Sequence, residues 1–200
     1  ENVPKNGPLL VVGNHLSNMD PPLLFASFPR KIQFMAKPSL FTNPITRNFF
    51  RGFGAFPIAE TGKEFSSIQR SLSILERDGV MGIFPEGGRN PKGLGKAMLG
   101  VGMIAIKSGA PILPVGITGT EKLGHWLRVC YPKGNFNVKI GAPFSVNVKG
   151  NQLRKNIESA TDTIMAHIAE LLPSEYRGVY ADDWNGERSY TSPKKFDFET

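Results

Sequence analysis

In the stretch VVGNHLSNMDPP, residues 11–22, an apolar run ends in a histidine, an aspartate follows five positions on, and two prolines close it. An imidazole titrates near neutral pH, so His15 can act as a general base. A carboxylate folded back from Asp20 can hold the ring's tautomer and stabilise the imidazolium. The same residues also suit a plain turn, with Asp20 as the N-cap of a helix that opens at Pro21 and Pro22, and one aspartate can serve both ends. A metal reading is poorer, because His125, His167 and Cys130 stand in unrelated contexts and a zinc site wants further ligands. No G-x-S-x-G elbow occurs, and the lone cysteine lies in RVCYPKG. A base without a nucleophile implies that the substrate brings its own hydroxyl.

A second polar cluster is FPEGGRN, residues 84–90. Its glycines let backbone approach a ligand closely, Arg89 offers a planar fork for phosphate or carboxylate, and Glu86 can accept a hydrogen bond from a substrate hydroxyl. Taken alone, the cluster also reads as a glycine turn with a surface Glu and Arg. A third stretch, residues 37–56, interleaves Phe41, Phe49, Phe50, Phe53 and Phe56 with Lys37, Arg47 and Arg51. Aromatics for the acyl boundary and cations for headgroups suit an interfacial segment, which is the reading preferred here. Stacking on single-stranded nucleic acid, or a core with solvated arginines, would use the same mixture.

These clusters need elements to carry them. Apolar runs rich in Val, Ile and Phe recur at PLLVV, KIQFMA, GAFPIA, VMGIF, PILPVGIT and NVKIGAPF, each bounded by Gly, Pro or Asn, and predict buried strands. Between them, Phe65, Ile68, Leu72 and Leu75 predict a helix stopped by Gly79. Residues 96–109 predict a second helix, lying against the sheet and ended by Gly109. The longest helix is expected over 151–172, capped by Asn151, with Leu153, Ile157, Ala160, Ile164, Ile168 and Leu171 as its stripe and Pro173 after its last turn. Strands alternating with helices argue for an α/β fold, one domain with a central, mainly parallel sheet flanked by helices. The expected division is a domain over 1–172 and an irregular tail over 173–200. Both polar clusters follow strands directly, and in open α/β sheets ligands collect beyond the carboxyl ends of strands.

The bulk numbers narrow the partners. At 200 residues the chain buries a core without staples, and a single cysteine excludes an internal disulfide. A formal charge of +7 points to anionic partners: nucleic acid, an acidic membrane surface or a phosphorylated substrate. No nucleic-acid-binding motif supports the first. No apolar run approaches the roughly 20 residues that span a bilayer, and no secretory signal opens the chain. Glu1 is not an initiator methionine and the first strand follows almost at once, which leaves room for sequence upstream, an anchor included.

From about Leu9 to Leu123 the chain resembles the glycerolipid acyltransferases of the lysophosphatidic acid acyltransferase type. His15 and Asp20 match the family's H-x4-D box, with Asn14 before it. FPEGGRN matches its FPEGTRS box, with Gly88 in place of Thr and Asn90 in place of Ser, and GAPILPVGITGTE, residues 109–121 with Pro114, matches its fourth motif. The resemblance implies a glycerol-3-phosphate acyltransferase-like fold and no cofactor. The co-substrate would be an acyl-CoA or an acyl carrier protein, whose acyl group passes to a lysophosphatidic acid or related glycerolipid hydroxyl in phospholipid biosynthesis. His15 would take the hydroxyl proton, Asp20 would orient the ring, Arg89 would hold the acceptor phosphate, and Glu86 and Gly87 would shape the acceptor site. It also implies a peripheral or monotopic place on the cytoplasmic face of a membrane, against anionic lipids. The second motif departs from the family: Ala59 and Glu60 stand where an arginine is usual, which implies a phosphate clamp either weakened or supplied by Lys63. The helix after the third motif often carries a basic residue near Met98, and the family's N-terminal membrane-binding helices have no counterpart here. These departures keep two alternatives in view, a different lysophospholipid headgroup as acceptor and a non-catalytic peripheral lipid-binding protein.

Overall fold

Every residue of the first strand, β1 (Leu9–Gly13), is buried, which fits a strand covered on both faces rather than one with a wet side. The computed structural model describes residues 2–57, 64–123, 134–146 and 152–181. It arranges β1, β2 (Ile32–Ala36), β3 (Ala55–Pro57), β4 (Val80–Ile83), β5 (Ile112–Thr118) and β6 (Asn137–Ile140) in one sheet of order β3-β2-β4-β1-β5-β6. All neighbours pair in parallel except β5 and β6, which run antiparallel. The mainly parallel α/β sheet expected from the strand and helix alternation is therefore present. Its centre is β1, whose Val12 lies opposite Ile83 on β4 and Pro114 on β5.

The sheet separates two apolar layers. Leu10, Val12, Met81 and Ile112 face helices α3 (Glu64–Leu75), α4 (Gly100–Ser108) and α5 (Leu153–Leu171), while Leu9, Val11, Val80 and Leu113 face the side of α1 (Asp20–Ser27), where Leu24 and Phe28 join them. Burying each such side chain contributes roughly 1.5–3 kcal/mol, so both covers hold the sheet from which the polar loops project. The remaining helix, α2 (Pro44–Gly52), packs near the outer strand β3 and buries no residue.

Several expected boundaries move. Helix α3 does end near Leu75, but the left-handed residue of its exit is Asp78 (φ 57), not Gly79. Gly79 N donates instead to Ile74 O at 3.0 Å, and the Asp78 carbonyl accepts from Arg30 Nη2. Aspartate tolerates this conformation better than most side chains. Helix α4 begins at Gly100, four residues later than expected, because Gly95 N and Met98 N already donate to Glu86 Oε2 and Pro85 O. Its stop at Gly109 (φ 61) is as expected. In α5 the buried stripe starts at Ile157, since Leu153 is half exposed and Leu171 only partly covered. Residues 173–181 form two single 3₁₀ turns tied to the domain, with Leu94 N donating to Tyr176 O, Val179 N to Leu94 O, and Tyr180 buried. Residues 182–200, Asn151, and Ala59, Glu60 and Lys63 of the second motif lie outside the described residues, as do His125 and Cys130.

Candidate active site

The carboxyl ends of β4, β1 and β5 lie side by side, and the loops leaving them meet. His15, two residues past β1, has its ring stacked on Phe84 at 4.3 Å between centroids, and Phe84 in turn stacks on Phe34 at 5.9 Å. This apolar wall fixes the plane of the imidazole. Its edge is fixed by a hydrogen bond between Nδ1 and Asp20 Oδ2 at 2.7 Å. The aspartate is completely buried while the histidine keeps 16 % of its side chain exposed, so the pair is anchored at one end and open at the other.

Asp20 is the first residue of α1, and Met19 takes the N-cap position. Its carboxylate does not cap its own helix. It turns back to accept from Leu16 N at 2.7 Å and Ser17 N at 2.8 Å, and on its other oxygen from Thr120 Oγ1 at 2.5 Å. With these donors and Nδ1–H of His15 converging on an acceptor-only group, Nε2 is left as the nitrogen with the lone pair. The helix N-terminus adds partial positive charge next to the carboxylate. Such an arrangement can take a proton at Nε2 without reorganising.

The backbone of His15 is clamped as firmly as its ring. His15 N donates to Glu86 Oε1 at 2.8 Å, and Asn90 N donates to His15 O at 2.6 Å, so the FPEGGRN loop holds the residue from both sides. Glu86 Oε2 accepts from Gly95 N at 2.8 Å. Both oxygens of Glu86 are therefore engaged with backbone, which gives the residue a positioning role. Burial pushes the Glu86 carboxyl up from its ordinary 4.5 to about 7, the negative charge of Asp20 adding to this and the bonds from His15 and Gly95 working against it. Gly87 has φ 67, a left-handed conformation that strains any residue with a Cβ, and its open Cα faces Met98 Sδ. Arg89, in the same loop, is exposed.

Two residues of this site carried no recognised chemical signal. Thr120, fully buried beyond β5, extends the dyad to a chain Thr120–Asp20–His15. Its position inside GITGTE, the end of the fourth motif, was the only hint. Asn14 was noted only as the neighbour of His15. Its side-chain amide pairs with the backbone of Ile117, donating to O at 2.8 Å and accepting from N at 2.7 Å, and so stitches the end of β1 to β5. Among the described residues, no group of three His, Cys, Asp or Glu side chains is placed to hold a metal ion. No described helix is long and apolar enough to cross a membrane.

Comparison with known proteins agrees with this geometry. A sequence model of the Acyltransferase family matches residues 1–118. The chain is 27 % identical over 173 residues to the 1-acyl-sn-glycerol-3-phosphate acyltransferase of Bacillus subtilis, covering 86 % of this chain and 84 % of that protein. It is 27 % identical to the Streptococcus pneumoniae protein of the same name over 81 % of this chain and 60 % of the other, and 28 % identical to the Borreliella burgdorferi one over 60 % and 50 %. The chain thus spans between 50 % and 84 % of the length of these three relatives. Among solved structures, the 1-acyl-sn-glycerophosphate acyltransferase PlsC of Thermotoga maritima superposes with a TM-score of 0.60 at 28 % identity, over 81 % of this chain and 66 % of that one.

Proposed function

Since the chain belongs to the acyltransferase family, whose model its first 118 residues match, we propose that it moves a fatty acyl group from the thioester of acyl-CoA or acyl carrier protein to the free hydroxyl of a lysophosphatidic acid. The named activity of the relatives in Bacillus and Streptococcus supports the acceptor class. The observation that carries the reading is the engagement of His15 Nδ1 with buried Asp20, which leaves Nε2 as the ring nitrogen that can take a proton. Nε2 takes the proton of the glycerol hydroxyl as its oxygen attacks the thioester carbon. The C–S bond then breaks, and the departing thiolate takes the proton back from the imidazolium. No acyl-enzyme is formed, because the acceptor hydroxyl is itself the nucleophile. Arg89 holds the acceptor phosphate. The protein works from the surface of a membrane, on its cytoplasmic face, with anionic lipids as neighbours.

The test is release of free thiol from a long-chain acyl-CoA, and separately from an acylated carrier protein, with lysophosphatidic acid presented in liposomes. Acceptor-dependent release is expected from the wild type, and His15→Ala lowers it by about 10² to 10⁴. Arg89→Gln raises the acceptor KM about tenfold while kcat changes little. A wild type that releases no thiol from either donor, or a His15→Ala variant as fast as the wild type, overturns the reading.

A further inference from the structure

Strand β3 is the outer strand of the sheet, and a cavity of about 440 Å³ opens beside it, away from the His15 loops and sharing no residue with them. Three of its lining residues are cations brought from three separate elements: Lys31 from the entry to β2, Arg51 from the last turn of α2 and Arg70 from α3. No described carboxylate lines it. Arg70 is held in place by its guanidinium, which lies 4.8 Å from the centroid of the Phe56 ring. Gln33 adds a neutral donor and acceptor to the same wall. Like charges gathered around a concavity create a positive potential that an anion relieves. Arginines in particular suit a phosphate, whose oxygens match their planar fork.

The setting says where the anion comes from. Arg51 belongs to α2, a helix that buries none of its residues. Ile45 and Phe49 fall on one of its faces and Arg47 and Arg51 on the opposite one, by the period of a helix, and Phe53 is its C-cap. Ile45 is 77 % exposed, and the phenylalanines contact one another or Phe25, Phe49 meeting Phe53 at 4.8 Å and Phe25 meeting Phe53 at 5.5 Å. A helix that buries no residue, with an apolar face and cations on the face opposite it, is the pattern of a helix lying in the headgroup layer. We propose that the cavity holds the phosphate of an anionic phospholipid in the bilayer on which α2 rests, a lipid site separate from the acyl-transfer centre.

The proposal is tested by partitioning the full chain onto vesicles of phosphatidylcholine alone and of phosphatidylcholine with 30 mol % phosphatidylglycerol. Each cation that meets the anionic surface favours binding roughly fivefold, and the triple variant K31Q/R51Q/R70Q is expected to lose at least about tenfold of the preference for anionic vesicles. The variant K107Q/K139Q/K155Q removes the same charge from outside the cavity and is expected to keep that preference. Thermal melting of both variants checks that each is folded. Equal losses in the two variants would mean that net charge alone acts, and no loss in the first would mean that the cavity takes no headgroup. Either result overturns the proposal. So does a cavity that binds glycerol 3-phosphate in solution, by calorimetry lost in K31Q/R51Q/R70Q, while vesicle binding stays unchanged, since the occupant is then a free phosphate. Partitioning is read without any turnover, so its outcome is separate from that of the thiol-release assay.

Discussion

The molecule has two polar regions built on opposite terms. At the carboxyl ends of β4, β1 and β5, Asn14, Asp20 and Thr120 are completely buried, and each has named hydrogen-bond partners. At the outer edge, by β3 and α2, the cations and Ile45 stand in solvent, and α2 has no buried residue. Chemistry at His15 depends on placement within fractions of an ångström, so its supports are many and dry. A surface that meets lipid gains from long cationic side chains and rings left free to settle. The difference teaches that the polar residues of this chain serve precision in one place and adaptability in the other.

The sharpest way to break this contrast is at the dyad. Asp20→Asn keeps the volume but replaces an acceptor-only group with one that also donates, so the imidazole tautomer is no longer imposed. A loss of about 10³ to 10⁴ in kcat is expected in the thiol-release assay, by analogy with the aspartate of a Ser-His-Asp triad. A loss under tenfold would mean that the ring is oriented by stacking on Phe84 alone.

Next comes Glu86. Its carboxyl is raised to about 7 by burial, against 4.5 ordinarily. The folded state therefore holds a proton that the unfolded chain gives up between those values. Stability is unaffected by this group below about pH 4.5 and declines as pH rises through about 7, by up to about 3 kcal/mol. Urea midpoints measured from pH 4 to 8 should show the decline in the wild type and a flatter profile in Glu86→Gln. Identical slopes in the two proteins would mean that the clip between His15 and Gly95 does not titrate.

Thr120→Val removes one donor to Asp20 and leaves a buried carboxylate oxygen without it, a loss of about 1.5–3 kcal/mol for a bond to a charged group. A fall in kcat of about tenfold with unchanged KM for the acceptor is expected, with recovery in Thr120→Ser. If serine fails to restore the rate, the methyl group rather than the hydroxyl matters. The smallest effect is expected at the other edge. Ile45→Ser should shift Tm by under about 1 °C, because a side chain this exposed contributes little to folding. It should still weaken vesicle binding several-fold, since an inserted aliphatic side chain gains up to about 1.5–3 kcal/mol on leaving water. A large drop in Tm would show that α2 is part of the core after all.

The dyad was legible in the sequence because its members are five residues apart, and a strand that ends in a tight turn into a helix brings such positions together. The alternation of apolar strands and amphipathic helices was legible for the same reason, since period and punctuation are local. The late start of α4 was not, because residues 95–98 satisfy the needs of Glu86 and Pro85 and so leave the helix that their own composition favours. The positive φ of Asp78 was hidden for a like reason, a glycine beside it being the more obvious candidate.

By itself the sequence determined the residue types available for chemistry, the local pairing of His15 with Asp20, and an α/β layer architecture. Only the tertiary structure decided that Thr120, a hundred residues away, completes the dyad, that Asn14 ties β1 to β5, and that Glu86 clamps the backbone of His15. It decided equally that Lys31, Arg51 and Arg70 line one cavity. Each of these contacts depends on which strands and helices are neighbours. That order is set by how two apolar layers close over one sheet, a condition on the whole chain that no short stretch contains.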